Sequence, residues 1–147
     1  MKKFIHIVGL GAALLIMASC SATAPQSGNT SGLAGTSWEV TGYNDGSQGM
    51  TDVLPGTSLT ANFGEDGTMT GNSGCNDYNG PYKITGNQIG IGPLGATRKA
   101  CGDPAGAMEQ EAQYLAALDA AQVYVIDGNN LELRLVDGTV AAKFARK

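Results

Sequence analysis

Three cysteines carry the broadest chemistry in this chain: Cys20, Cys75 and Cys101. A thiolate can attack, ligate a metal or pair with a second sulfur. Only one histidine is present, His6, and it sits in the apolar N-terminal run. The chain beyond that run therefore has no imidazole. Ser–His–Asp and Cys–His catalysis and histidine-built zinc or copper sites are excluded there.

Other candidate chemistries read as structure. Gly90-Ile91-Gly92-Pro93-Leu94-Gly95 fits the dinucleotide glycine pattern, but no helix opens there and no βαβ unit surrounds it. Asp103 and Asp127-Gly128-Asn129-Asn130 lack the alternating oxygen ligands of a calcium loop, so turn chemistry accounts for them. Glu65 and Asp66 fall at a hairpin tip. Glu109 and Glu111 are two apart on a helix and point different ways. No Ser-x-x-Lys occurs. The expectation is no catalytic residue, no cofactor and no metal.

The N-terminus explains Cys20. Lys2 and Lys3 precede an apolar run from Phe4 to Met17, followed by Ala18-Ser19-Cys20. A basic start, an apolar stretch too short for a bilayer span and small residues before a cut make a secretory signal. Met17-Ala18-Ser19-Cys20 resembles the lipobox of bacterial lipoproteins, in which the chain is cut before the cysteine and the cysteine is acylated (palmitate among its acyl groups). Residues 1–19 are then a lipoprotein signal peptide. Residues 20–32, rich in Ser, Thr, Gly and Pro, are a flexible tether. Ser21 after the cysteine resembles the outer-membrane sorting pattern. The expected location is the inner leaflet of the outer membrane, facing the periplasm, with the inner membrane as the alternative. Each buried methylene contributes about 0.8 kcal/mol to such an anchor.

The chain carries nine basic and thirteen acidic residues; loss of Lys2 and Lys3 takes the net charge from −4 to −6. An acidic, sparsely charged surface is a poor partner for nucleic acid. In an oxidising compartment, two remaining cysteines in one small domain are expected to bond. A Cys75–Cys101 bridge would tie the corner 71–82 to the segment before a helix. A redox-active pair is the functional alternative, and the sequence lacks Cys-x-x-Cys.

The elements that must position these residues are mostly strands. Glycine, at 22 residues, and a charged fraction of only 15% indicate many turns and a β-rich fold. Strands are predicted over 33–43, 58–63, 68–71, 81–84, 88–92, 123–126, 131–135 and 139–145, with a polar loop over 44–56. Val140, Ala142 and Phe144 are expected on one face of the last strand. Gly71 to Tyr82 is read as a shaped, internally hydrogen-bonded connection between two strands. Asp103-Pro104 is predicted to open a helix running from Ala105 to Ala121. Its apolar stripe would be Met108, Ala112, Leu115 and Leu118. The expected architecture is α+β and β-rich: an antiparallel curved sheet or incomplete barrel of about eight strands packed on one α-helix.

These residues together resemble the META domain family, the family of HslJ-like envelope lipoproteins. The resemblance rests on Leu33-x-Gly35-x-x-Trp38, Phe63 with Gly67, and above all Gly71-x-x-Gly74-Cys75-Asn76-x-Tyr78-x-Gly80-x-Tyr82. Ile89-x-Ile91, Thr97-x-x-x-Cys101, Glu109 before Tyr114 and Leu118, Tyr124, Leu131-x-Leu133 and Phe144 complete it, placing the domain at 33–147. The long loop Tyr43 to Gly56 departs from the pattern. The resemblance implies a small β-rich envelope domain with one helix, linked to stress response, with no assigned catalytic residues.

The expected function is a non-catalytic, lipid-anchored envelope protein, monomeric, serving as a stress-response or binding accessory module. Its membrane contact would be through N-terminal acyl groups, and its partner another envelope protein. Asn76, Asp77, Tyr78, Asn79, Tyr82, Arg98 and Lys99 form the candidate interaction surface, since exposed tyrosine and arginine anchor interfaces. The alternative for the corner is that it only satisfies its own backbone. Rival functions are a carrier of a small apolar ligand between sheet and helix and a carboxylate-based hydrolase.

Overall fold

The computed structural model describes residues 32–147 except Gln48. The expected signal peptide, Cys20 and the expected tether up to residue 31 lie outside the described residues. Ten strands and one helix follow in order: β1 Thr36–Asn44, β2 Met50–Asp52, β3 Thr60–Phe63, β4 Thr68–Asn72, β5 Asp77–Thr85, β6 Gln88–Ile91, β7 Gly95–Ala96, α1 Ala107–Asp119, β8 Val123–Asp127, β9 Asn130–Arg134 and β10 Val140–Arg146.

Alternation builds the strands. β9 buries Leu131 and Leu133 and turns Glu132 and Arg134 toward solvent. β3 buries Ala61 and Phe63, and β5 buries Tyr78 and Tyr82. Every neighbouring pair is antiparallel, and β10 pairs with β1. The ring β1-β3-β4-β5-β6-β8-β9-β10 therefore closes on itself. The expected incomplete barrel is corrected to a closed eight-stranded one, which removes the unpaired edges an open sheet would expose.

Two short strands lie outside the ring. β2 pairs with β1 beyond the point where β3 leaves it, so the predicted polar loop 44–56 contains a strand. β7 pairs with β5 at Tyr78 and Asn79.

Both ends of the barrel are filled. At one end Leu33 is fully buried, and the Gly35 N–H donates to Phe63 O at 2.7 Å. Trp38 Nε1 donates to Thr36 Oγ1 at 2.7 Å, and that hydroxyl donates to Leu33 O. The Arg146 guanidinium lies over the Trp38 ring, 4.6 Å from its centroid. The other end is covered by α1. Between them pack Trp38, Phe63, Met69, Tyr114, Leu118, Leu131, Leu133 and Phe144. Each large apolar side chain so buried contributes about 1.5–3 kcal/mol.

The helix departs from expectation at its start and in its face. It begins at Ala107, after Gly106 in a left-handed conformation (φ 94°) with no side-chain cap. The Asp103–Pro104 bond is cis and lies outside the helix. The buried face is Ala107, Gln110, Tyr114, Ala117 and Leu118. Met108 is 46% exposed, and Ala112 is exposed. The stripe rotates because Gln110 and Tyr114 find buried hydrogen-bond partners, which an aliphatic-only pattern does not register. A register shift between Val140 and Ala142 breaks the expected alternation in β10. Ala141 and Ala142 are consequently both buried.

Candidate functional site

The corner is tighter than the stretch 71–82 suggested. β4 runs through Asn72 and β5 starts at Asp77, so only residues 73–76 turn the chain. Glycine is required at Gly74: its φ is 94°, and a Cβ there would lie 2.5 Å from Gln110 Nε2. Inside the turn, Ser73 N–H donates to Asn76 O at 2.8 Å, and Ser73 Oγ lies 2.8 Å from the same oxygen.

Asn76 is the hub. Its Oδ1 accepts from Thr97 Oγ1 and from Lys99 N–H, both at 2.7 Å. Its Nδ2 donates to Glu111 Oε1 at 3.0 Å and to Lys99 O at 3.2 Å. Glu111 Oε2 also accepts the Asn76 N–H at 3.0 Å and the Ser73 hydroxyl at 2.5 Å. One amide side chain thus ties the turn, the segment 97–99 and the helix. The Cys75–Cys101 disulfide, with Cα atoms 5.9 Å apart, closes the same junction covalently. Met108 Sδ lies 3.6 Å from Cys75 Sγ.

A second buried group fastens the helix to the barrel mouth. Gln110 Oε1 accepts from Leu54 N–H at 2.7 Å, and its Nε2 donates to Thr57 Oγ1 at 2.9 Å. Tyr78 donates to Thr60 O at 2.8 Å. Its single hydroxyl hydrogen is thereby used, so Tyr114 is the donor in the 3.0 Å contact between the two phenols. Burial raises both phenols above the ordinary tyrosine range.

The predicted interaction surface is therefore split. Asn76, Tyr78 and Tyr82 are buried at 1%, 3% and 5% exposure. Their expected role as exposed contacts is corrected: Asn76 ties the corner to the helix, and Tyr78 and Tyr82 pack into the core, because their polar atoms find protein partners. Tyr82 donates to Gly64 O at 2.7 Å. Asp77, Asn79, Arg98 and Lys99 remain exposed. Sequence reasoning missed Glu111, Gln110 and Tyr114 as the helix's anchors. The available signal was a glutamine and a tyrosine four apart beside an alanine- and leucine-rich face.

Two hollows border this end of the barrel. One is a shallow trough of about 670 Å³ on the outer face of β3, β4, β5 and β7, where Asn62, Thr70, Asp77, Asn79 and Thr97 stand among Gly71, Tyr78, Gly95 and Ala96. The other is an apolar groove of about 410 Å³ between α1 and the barrel rim, lined by Ala112, Ala116, Ala120, Leu135 and Ala141 with Asp45 at its edge. Asp45 accepts from Ser47 N–H at 2.8 Å, Ser47 Oγ at 2.6 Å and Thr51 Oγ1 at 2.8 Å. The Ser47 bonds, then that from Thr51, hold its carboxyl below the usual range. Among the described residues no cluster of three His, Cys, Asp or Glu could hold a metal ion, and no helix is long and apolar enough to cross a membrane.

Fold and site define a class: a small, closed antiparallel β-barrel capped by one helix and stapled to it through a glycine-asparagine turn. The chain belongs to the META domain family, whose model matches residues 31–147. Among solved structures, a protein from Burkholderia xenovorans determined by NMR is similar at TM-score 0.66 and 25% identity, over 91% of this chain and 99% of that one. A DUF4847 family protein from Bacteroides vulgatus shares the fold at TM-score 0.52 and 19% identity, over 77% and 93% of the two chains. No curated protein matches the chain.

Proposed function

We propose that this protein is a non-catalytic, lipid-anchored component of the bacterial cell envelope whose META domain serves as a binding or stress-accessory module. The observation that carries this reading is the Cys75–Cys101 bridge. A disulfide built into a domain's main polar junction belongs to an oxidising compartment. The Lys2-Lys3 start, the apolar run and Met17-Ala18-Ser19-Cys20 supply the route and the anchor. The test is intact mass of the protein isolated from a bacterial membrane fraction. The expected result is a chain beginning at an acylated Cys20, lost to the soluble fraction in Cys20→Ala. A membrane-free chain retaining Met1 overturns it.

A carrier of a small apolar ligand is the second reading. The groove between α1 and the barrel rim favours it, since five alanines and a leucine line a hollow of about 410 Å³, within the range of small-molecule sites. Displacement of an apolar fluorescent dye by fatty acids would support it, and dye fluorescence unchanged by protein would end it.

A further inference from the structure

We infer that the trough on β3, β4, β5 and β7, with its row of polar side chains, is a binding site for a neutral saccharide chain. The inference rests on the binding-module reading and names the ligand class.

The site is a row. Asn62 lies opposite Thr70, Thr70 opposite Asn79, and Asn79 opposite Gly95. One straight line of polar side chains therefore crosses three neighbouring strands on the outer face and ends at Gly95 on a fourth. Neighbouring strands stand about 4.8 Å apart, comparable to one sugar ring, so successive side chains can meet successive sugars. At Gly95 the row loses its side chain, which leaves backbone accessible at that end.

The chemistry of the lining selects a polyol. Asn62 and Asn79 each offer a donor and an acceptor side by side, the pattern that pairs with adjacent hydroxyls. Thr70 adds a hydroxyl, Thr97 a hydroxyl oxygen free only to accept, and Asp77 one carboxylate. No lysine, arginine or histidine lines the trough, so phosphate and nucleotides lack a counter-charge. One carboxylate is too few for a hard cation. No exposed aromatic or long aliphatic side chain is present for an apolar ligand.

The row is also held in place. Asp77 Oδ1 accepts from Asn72 Nδ2 at 2.8 Å. Thr97 N–H donates to Asp77 O at 3.0 Å, and Thr97 Oγ1 donates to Asn76 Oδ1. The trough's rim thus hangs from the hub that the disulfide closes. A rigid site loses less entropy on binding a flexible chain.

The test is amide chemical-shift titration of the purified full chain with chitotetraose and, separately, maltotetraose, with inorganic phosphate as a third arm. Saturable shifts centred on Asn62, Thr70, Asp77, Asn79 and Thr97 with either saccharide are expected, and their difference tells which sugar fits. Asn79→Ala, at an exposed side chain, should weaken binding at least about tenfold while the remaining spectrum stays folded. Thr70→Ala should do the same by a smaller factor. No shift with either sugar up to on the order of 10 mM overturns the inference. So do shifts centred on the alanine groove, or a response to phosphate that exceeds that to sugar. Envelope anchoring stands or falls on the mass of the processed chain, so the two failures are distinguishable.

Discussion

Asn76 and Glu111 meet twice: the Asn76 backbone N–H reaches Oε2 and its side-chain Nδ2 reaches Oε1, each at 3.0 Å. A carboxylate on the helix thereby receives both donors of a single turn residue. Removing the carboxylate strands the Asn76 backbone N–H in a partly buried place, leaves its side-chain amide only Lys99 O and leaves the Ser73 hydroxyl only Asn76 O. Glu111→Ala should cost about 2–3 kcal/mol, read as a lower urea midpoint at unchanged slope. Asn76→Ala should cost a similar amount. The double variant should cost less than the sum, because both changes break the same contacts.

The disulfide closes a loop with a sequence separation of 26. Chain-entropy arguments put its contribution at about 3.5 kcal/mol. Reduction, or Cys75→Ser with Cys101→Ser, should lower stability by that order. Mass spectrometry should find two hydrogens added on reduction. Two thiols that alkylate in the native, unreduced protein would contradict the bridge.

Alkali should unfold the protein through its tyrosines. Burial raises Tyr78 and Tyr114 above the ordinary value near 10. The unfolded chain releases these protons first, so it binds fewer protons than the native state as pH climbs past 10. Stability is whole below that pH and falls above it, by about 1.4 kcal/mol per pH unit per tyrosine while the native phenols stay protonated. Phenolate absorbance should therefore be completed only with unfolding, because Tyr78 and Tyr114 keep their protons in the folded core. Free titration of all five tyrosines in the folded protein would refute this.

Gly71 is the sharpest steric test. A methyl group there would sit 2.0 Å from Thr60 O and 2.6 Å from the Tyr78 hydroxyl. Gly71→Ala should destabilise by about 3 kcal/mol through displaced backbone. Gly90→Ala, with open space around it, should change stability by less than about 1 kcal/mol. Thermal unfolding of the two variants side by side decides it.

Much of the fold was legible because alternation is local. Leu131, Leu133 and Glu132 announce β9 without any knowledge of neighbours. The Cys75–Cys101 pairing was legible because no other cysteine remained once Cys20 was set aside. Closure of the barrel was not, since β1 meets β10 across almost the whole domain and no short-range pattern encodes that contact. β2 was hidden because Met50–Asp52 has no apolar alternation and is held by the edge of β1. The corner misled for a physical reason: Asn76, Tyr78 and Tyr82 look like surface residues by type. Only the folded chain supplies the carbonyls and the carboxylate that let them be buried. The Asn62–Thr70–Asn79 row was equally hidden, because it exists only in cross-strand register.

The last strand lies beside the first, with Trp38 opposite Arg146 and the Lys147 N–H donating to Ser37 O at 3.1 Å. The domain's two extremities thus leave from one rim. A short linker from Lys147 back to Leu33 would let the chain be reopened elsewhere, at the Asp127-Gly128-Asn129 hairpin for instance, to give a circular permutant with the same barrel. A reporter fused at either extremity would project from that rim and leave the helix-capped mouth unobstructed.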